Sequence, residues 1–117
     1  DMAVVAAGSW SRRVRVKHVA AFPTRPIRGQ LLHLHWTDGV PPRQIVWGPR
    51  CYTVPWPDGT LLVGATAEDV GFDEHATVAG VQALTTAVTE LLPRWPAATA
   101  ADLRQAFVAM ANKARNS

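Results

Sequence analysis

QIVWGPRCYTVPWPDGTLLVGATAED, residues 44–69, is the stretch that decides the fold. On both sides of Pro57-Asp58-Gly59 it is rich in β-branched, aromatic and small apolar residues, the types that suit a pleated, half-buried surface. Proline presets φ, and Asp-Gly tolerates the positive φ that closes a hairpin. We therefore predict two strands joined by a tight turn. The return strand, residues 60–66, is almost wholly apolar, so we expect it inside a sheet rather than at its edge.

A second strand pattern precedes the hairpin, over residues 27–36. Alternation places two sets of side chains on opposite faces: Leu32, Leu34 and Trp36 on one, and Leu31, His33 and His35 on the other. Two histidines at i and i+2 can share a metal, but no third ligand stands at a recognisable spacing. The alternatives are a metal site and a pair of solvated histidines on a strand face, and we predict no metal.

Helical periodicity dominates the C-terminal half. Thr77 is a plausible N-cap, and apolar residues recur at three and four positions up to Pro93, which ends the helix. Residues 100–114 show a similar spacing in an alanine-rich context, which predicts a second helix. Residues 2–6 and 14–21 are short strand candidates, with a turn of helix between them that Ser9 could cap. The prediction is a single α+β domain over 1–117, a mainly antiparallel sheet with helices packed on one face.

Composition narrows the class of protein. Of 117 residues, 48% are hydrophobic and 18% charged, so the chain should fold into a core; its net charge of +3 is a mild basic excess. The arginines between Arg12 and Lys17 could be a nucleic-acid contact, but they lack an exposed aromatic stripe, and a polar strand face is the alternative. No apolar run approaches a membrane span of about 20 residues. The lone Cys51 fits a reducing compartment, so we expect a cytoplasmic protein.

The sequence contains no self-contained catalytic constellation. Cys51 could act as a nucleophile with a histidine, or be a small buried hydrophobe in an apolar strand. Gly8 could let a ligand approach the backbone, or simply end a strand. The acidic residues between Glu68 and Glu74 do not have calcium-loop spacing, so solvation and the helix N-terminus are their expected roles. There is no G-x-G-x-x-G.

Several motifs, in order, resemble the FAD-dependent amino-acid oxidases of the D-amino-acid oxidase superfamily, and within it the glycine oxidase of thiamine biosynthesis. They are VVAAGSWS (4–11), PIRGQLLHL (26–34), RCYTVPWPDGTLLVGATAEDVGFD (50–73), T-x-x-G (77–80) and LLP (91–93). The resemblance implies that Ala7, Gly8 and Trp10 contact the FAD cofactor. It also implies that Tyr52 lines the amino-acid pocket over the flavin, where its phenol can donate to a substrate carboxylate.

The sequence lacks two segments of the family pattern that bind the cofactor and the substrate. The resemblance leads one to expect a glycine-rich FAD cradle and a G-L-R-P arginine clamp, and neither is present; Arg104 does not match the clamp position. The chain also begins inside an apolar pattern. We therefore expect a substrate-domain fragment of a longer flavoenzyme, with residues 1–13 a remnant of the FAD-binding part and 100–117 a divergent helical tail.

These features are compatible with three functions. The first is a fragment of an oxidoreductase that, on its own, binds no FAD and shows no activity. It could instead be a self-associating, non-enzymatic module, since uncovered apolar surface favours interfaces; we expect a homo-oligomer, through residues 2–6 or the C-terminal helix. The third possibility is a nucleic-acid binder using the basic cluster, and we predict no nucleic-acid partner.

Overall fold

The computed structural model of the chain describes residues 1–36, 40–92 and 103–114. A 3₁₀ helix spans Gly8–Arg13. The five strands are β1 (Thr24–His35), β2 (Val46–Trp47), β3 (Tyr52–Pro55), β4 (Thr60–Gly64) and β5 (Leu103–Ala114), and α1 spans Val78–Leu91. All pairings are antiparallel, in the order β2-β3-β4-β1-β5. The predicted α+β class is confirmed.

The hairpin forms where the sequence predicts it. β3 and β4 pair from Tyr52↔Gly64 to Pro55↔Leu61. Gly59 adopts φ 81°, and the Asp58 carboxylate accepts a hydrogen bond from the Thr60 amide at 3.0 Å. β4 lies between β3 and β1, so its predicted interior position is correct.

One face of the sheet carries the hydrophobic core. α1 packs there, as the apolar stripe predicts, and Thr77 is its N-cap, its hydroxyl accepting from the Gly80 amide at 3.1 Å. The buried core residues come from β1, β4, α1 and the residue just before β3: Leu32, Leu34, Cys51, Leu61, Val63, Leu84, Ala87 and Val88.

The C-terminal prediction is wrong for the residues described. Residues 103–114 form β5, paired with β1 from Thr24↔Ala114 to Leu34↔Leu103, and not a helix. Alanine favours helix locally, but β1 offers a long edge whose backbone groups need partners, and this pairing outweighs a weak propensity. The other predicted helical residues, 100–102 and 115–117, lie outside the described residues.

The N-terminal strand predictions are also wrong. Residues 2–6 and 14–21 form no strand, so the arginines near Arg12 do not make a polar strand face. The predicted helical turn is present as the 3₁₀ helix, but its N-cap is Ala7 rather than Ser9.

Candidate functional site

The face of the sheet opposite α1 is the candidate site. Side chains of paired antiparallel residues share a face, so the pairs His33↔Leu62 and Val54↔Leu62 place these three side chains together, away from the core pairs Leu32↔Val63 and Leu34↔Leu61. A cavity of about 260 Å³ opens on this side, lined by Leu31, His33, Trp56 and Leu62. The open face is therefore mainly apolar, with polar groups at its margin.

Tyr52 lies on this open face. It pairs with Trp47 on one side, where the ring centroids are 5.0 Å apart, and with Gly64 on the other. Its ring crosses β4 at Gly64, where an added Cβ would overlap the phenol oxygen. The hydroxyl makes no hydrogen bond to any residue the structure describes, so it can donate to a ligand.

A short hydrogen-bonded chain orients His33 at the edge of the cavity. Its Nε2 bonds to the Thr60 hydroxyl, which donates to the Asp58 carboxylate at 2.5 Å. Trp56 meets the imidazole edge-on, with centroids 6.2 Å apart. His33 is thus half-buried and held in place, whereas His35 is exposed. Across the described ranges, no three His, Cys, Asp or Glu side chains form a group suited to a metal ion.

The residues predicted to contact FAD lie elsewhere. Gly8 has φ 53° and open space where a Cβ would stand. Trp10 stacks on Phe72 at 5.5 Å, and the 3₁₀ helix packs against β1 and β5. Tyr52 lies on β3, which β4 separates from β1. In this chain Trp10 therefore contacts Phe72 rather than Tyr52.

Sequence reasoning missed a buried polar network built on the R-G-Q segment. The Arg28 guanidinium bonds Glu68 and Asp73, each at 2.8 Å, and the His75 carbonyl at 3.0 Å. Arg28 is only 4% exposed. The predicted solvation role is therefore wrong for Glu68 and Asp73. One signal was available: Arg28 occupies an even-numbered position of β1, and the even positions of that strand face the core.

Gln30 extends this network to α1. Its amide donates to Glu68 at 2.9 Å and to the Thr77 hydroxyl at 3.0 Å, and its carbonyl accepts from the Thr77 amide at 2.7 Å. The Gln30 side chain fills the space beside Gly80, where a Cβ would overlap it. Gln30 thus fixes the start of the helix against the sheet.

Electrostatics follow from these contacts. Hydrogen bonds from Arg28 and then Gln30 lower the pKa of the Glu68 carboxyl, and the side-chain hydrogen bond to His75 is the main cause that lowers the pKa of Asp73. Burial raises the pKa of the Cys51 thiol. Because the thiolate is the nucleophile, this supports Cys51 as a buried hydrophobe rather than a catalytic residue.

Comparison with solved structures identifies the fold. The chain superimposes on glycine oxidase from Geobacillus kaustophilus with a TM-score of 0.81 and 22% identity, over 93% of this chain and 29% of that one. The arrangement of sheet and helix described above is therefore a fold found within a glycine oxidase of known structure.

Sequence comparison identifies the family. Residues 1–113 match the family described as FAD dependent oxidoreductase. The chain is 36% identical over 97 residues to the bifunctional protein ThiO/ThiG of Synechocystis sp., covering 80% of this chain and 14% of that protein. It is 31% identical over 99 residues to the glycine oxidase of Pseudomonas putida, covering 85% of this chain and 27% of that protein. The chain belongs to the FAD dependent oxidoreductase family, which confirms the resemblance seen in its motifs.

The chain spans between 14% and 27% of the length of these two relatives. No helix in the described part of the chain is both long and apolar enough to cross a membrane.

Proposed function

We propose that this chain forms the substrate wall of a flavin-dependent enzyme that oxidises a small amino acid. The observation that carries the proposal is the open sheet face, where the Tyr52 hydroxyl has no partner among the described residues and an apolar cavity lies on the same side. Kinship with glycine oxidases supports a small amino acid as the substrate class.

The chemistry of the open face suits a small zwitterion. Tyr52 donates a hydrogen bond to the substrate carboxylate, and the half-buried leucines and Trp56 exclude water from its other side. An apolar wall also strengthens each polar contact made against it, since the local dielectric is low. A substrate with a bulky side chain would compete with Trp56 for this space.

The residues of this chain fit one side of an FAD site. Gly8 leaves its backbone open at φ 53°, and Trp10, 43% exposed, offers an aromatic surface; we propose that these two, with Ala7, contact the cofactor. When bound, FAD supplies the hydride acceptor. The sequence has no G-x-G-x-x-G to hold the pyrophosphate. We therefore propose that the 117 residues alone retain no FAD and oxidise no glycine.

Two measurements on the purified chain test this proposal. NMR titration with glycine should shift the amides of Tyr52, Leu62 and Gly64, and Tyr52→Phe should abolish most of that shift. Gel filtration with excess FAD should give no co-eluting flavin absorbance, and glycine should give no peroxide. A stoichiometric flavin complex would contradict the claim of inactivity.

Thr53→Val is the matched control for the titration. It removes a hydroxyl from the neighbouring residue, whose side chain points to the α1 side and whose oxygen is buried without a partner. Glycine binding should survive this change. If both variants lose the glycine-dependent shifts equally, Tyr52 does not contact the substrate.

A second candidate function rests on exposed apolar residues around the same face. Trp47 is 74% exposed and Trp56 50%, and Ile45 next to β2 is 57% exposed. Such a surface also suits a non-enzymatic module that binds another copy of itself. Saturation of the glycine-dependent NMR shifts, with unchanged molecular mass, would favour the substrate wall over this alternative.

A further inference from the structure

The cavity on the open face contains a residue that can carry a positive charge. Its described lining is Leu31, His33, Trp56 and Leu62, and all but the histidine are hydrophobic. A carboxylate that leaves water for such a surface needs hydrogen-bond donors or a countercharge to offset its lost hydration. Tyr52 supplies a hydrogen bond but no charge, so within this lining His33 is the residue that can supply one.

The hydrogen bonds around His33 fix which ring nitrogen carries the first proton. The Thr60 hydroxyl donates its only proton to the Asp58 carboxylate, at 2.5 Å. The bond between that hydroxyl and the imidazole therefore uses a proton on Nε2, because the hydroxyl oxygen can only accept there. Since Nε2 is a donor in both protonation states, a second proton on the ring adds a positive charge without changing how the ring is held.

The sheet places this imidazole near the Tyr52 hydroxyl. His33 pairs with Leu62 on β4. The next β4 residue on that face is Gly64, over which the Tyr52 ring lies. Diagonal neighbours such as His33 and Gly64 are about 7–8 Å apart in an antiparallel pair. A small carboxylate between them can accept the phenol hydrogen bond and still lie close to the imidazole.

The titratable neighbours of His33 can be named for the part of the chain that the structure describes. On its own strand, His35 faces the same way and is exposed. On β5 the paired residue is Gln105, which does not titrate. On the turn side stands Asp58, reached through the Thr60 hydroxyl. His33 lines the cavity and His35 does not, so a charge gained at the cavity wall between about pH 8 and 5 belongs to His33.

We propose that protonated His33 is the countercharge for the substrate carboxylate, with Tyr52 as its hydrogen-bond donor. This inference rests on the proposed function, because it names the group on the same open face that recognises the charged end of the amino acid. The attraction does not need direct contact, since charges near a protein surface interact more strongly than in bulk water. Carboxylate binding should therefore strengthen as the pH falls from about 8 to about 5.5, the range in which histidine gains its charge.

NMR titration of the 117-residue chain at these two pH values tests the countercharge with three probes: glycine, acetate and ethylamine. Glycine and acetate carry a largely ionised carboxylate at both values. Each should bind about fivefold more tightly at the lower pH, measured from the Leu62 and Gly64 amide shifts. Ethylamine has no carboxylate and should show no such gain. Carboxylate affinities that do not change with pH, or an equal gain for ethylamine, overturn the proposal.

His33→Gln and His35→Gln form a matched pair. His33→Gln removes the titrating ring but keeps an amide that can bond Thr60, so glycine should bind equally at both pH values, with the weaker affinity. His33→Asn serves if His33→Gln does not fold. His35→Gln removes an exposed histidine that does not line the cavity, and it should keep the fivefold gain. A gain that persists in His33→Gln, or that is lost equally in both variants, overturns the proposal.

The same titrations separate the countercharge from the substrate wall. Glycine shifts that depend on Tyr52 but not on pH contradict the countercharge and leave the substrate wall intact. A pH-dependent acetate affinity without any glycine binding supports the countercharge and contradicts an amino-acid substrate. Absence of binding by both carboxylate probes at both pH values contradicts the two proposals together.

Discussion

Gly64 controls where the Tyr52 ring can lie. The ring crosses β4 directly above the glycine, so Gly64→Ala should push it aside and lower the free energy of unfolding by about 1–3 kcal/mol, as overpacking does. Urea unfolding followed by circular dichroism measures this cost. In a Tyr52→Ala background the same Gly64→Ala change should cost little, since the ring is gone. Equal costs in the two backgrounds would show that the ring does not rest on Gly64.

Arg28 is the residue on which the buried polar network depends. Arg28→Met should remove the shared partner of Glu68 and Asp73 and lower the Tm clearly. Arg50→Met is the control, because Arg50 and Glu90 form a salt bridge in which both side chains are more than half exposed. Differential scanning calorimetry should show a much smaller change for this variant. Similar Tm values for the two variants would contradict the role given to Arg28.

The same network predicts how stability depends on pH. The pKa values of Glu68 and Asp73 are lowered in the folded protein from ordinary values of 4.5 and 3.8. Their contribution is therefore complete above those ordinary values, and it is lost as pH falls through the lowered folded values. Urea midpoints measured from pH 7 down to acid pH should fall over this range. Glu68→Gln should flatten the decline, and an unchanged profile would contradict the assignment.

At the scale of the element, α1 is anchored by the fit of its first turn. A glycine inside a helix is normally less stable than alanine by about 1 kcal/mol. At Gly80, however, a Cβ would overlap the buried Gln30 side chain. Gly80→Ala should therefore lower the free energy of unfolding, opposite to the propensity. Ala79→Gly, at an exposed helical position, should destabilise by the ordinary amount, and a gain in stability from Gly80→Ala would contradict the packing.

A substitution in β5 should change the free energy of unfolding in opposite directions for a strand and for a helix. Ala109 pairs with Gly29 on β1. Ala109→Val should raise the free energy of unfolding by a few tenths of a kcal/mol if residues 103–114 are a strand, because valine favours sheets. If residues 103–114 were a helix, the same substitution should lower the free energy of unfolding by a similar amount, because valine is a poorer helix former than alanine. Urea unfolding of the unmodified chain and of Ala109→Val measures whether the free energy of unfolding rises or falls.

At the scale of the whole molecule, self-association remains a prediction. Residues 2–6 are exposed, with Met2 92% and Val4 82% accessible, and apolar side chains so placed favour contact between copies. Light scattering at low micromolar concentration should give a dimer or larger species. Met2→Glu with Val4→Glu should shift it to monomer, whereas Val78→Glu, at another exposed position on α1, should not. A monomeric unmodified chain would contradict the prediction.

Local sequence patterns were sufficient to predict the elements that form through contacts between nearby residues. The Asp58-Gly59 turn, the alternation along β1 and the apolar stripe of α1 each depend on neighbours within a few residues, so the sequence predicts them. Residues 103–114 show where this fails. Their helical spacing is real, but their backbone pairs with a strand about 80 positions earlier in the sequence, and no local period reports such a partner.

The sequence by itself determined the hairpin, the amphipathic helix and the family, since turn chemistry, periodicity and ordered motifs are written along the chain. Only the tertiary structure decided that Arg28 gathers carboxylates 40 and 45 residues away and that Tyr52 rests on Gly64. Each of these depends on contacts between distant segments. Such contacts form because a buried polar group needs a hydrogen-bond partner, and the packing of the sheet decides which distant residues lie close enough to provide one.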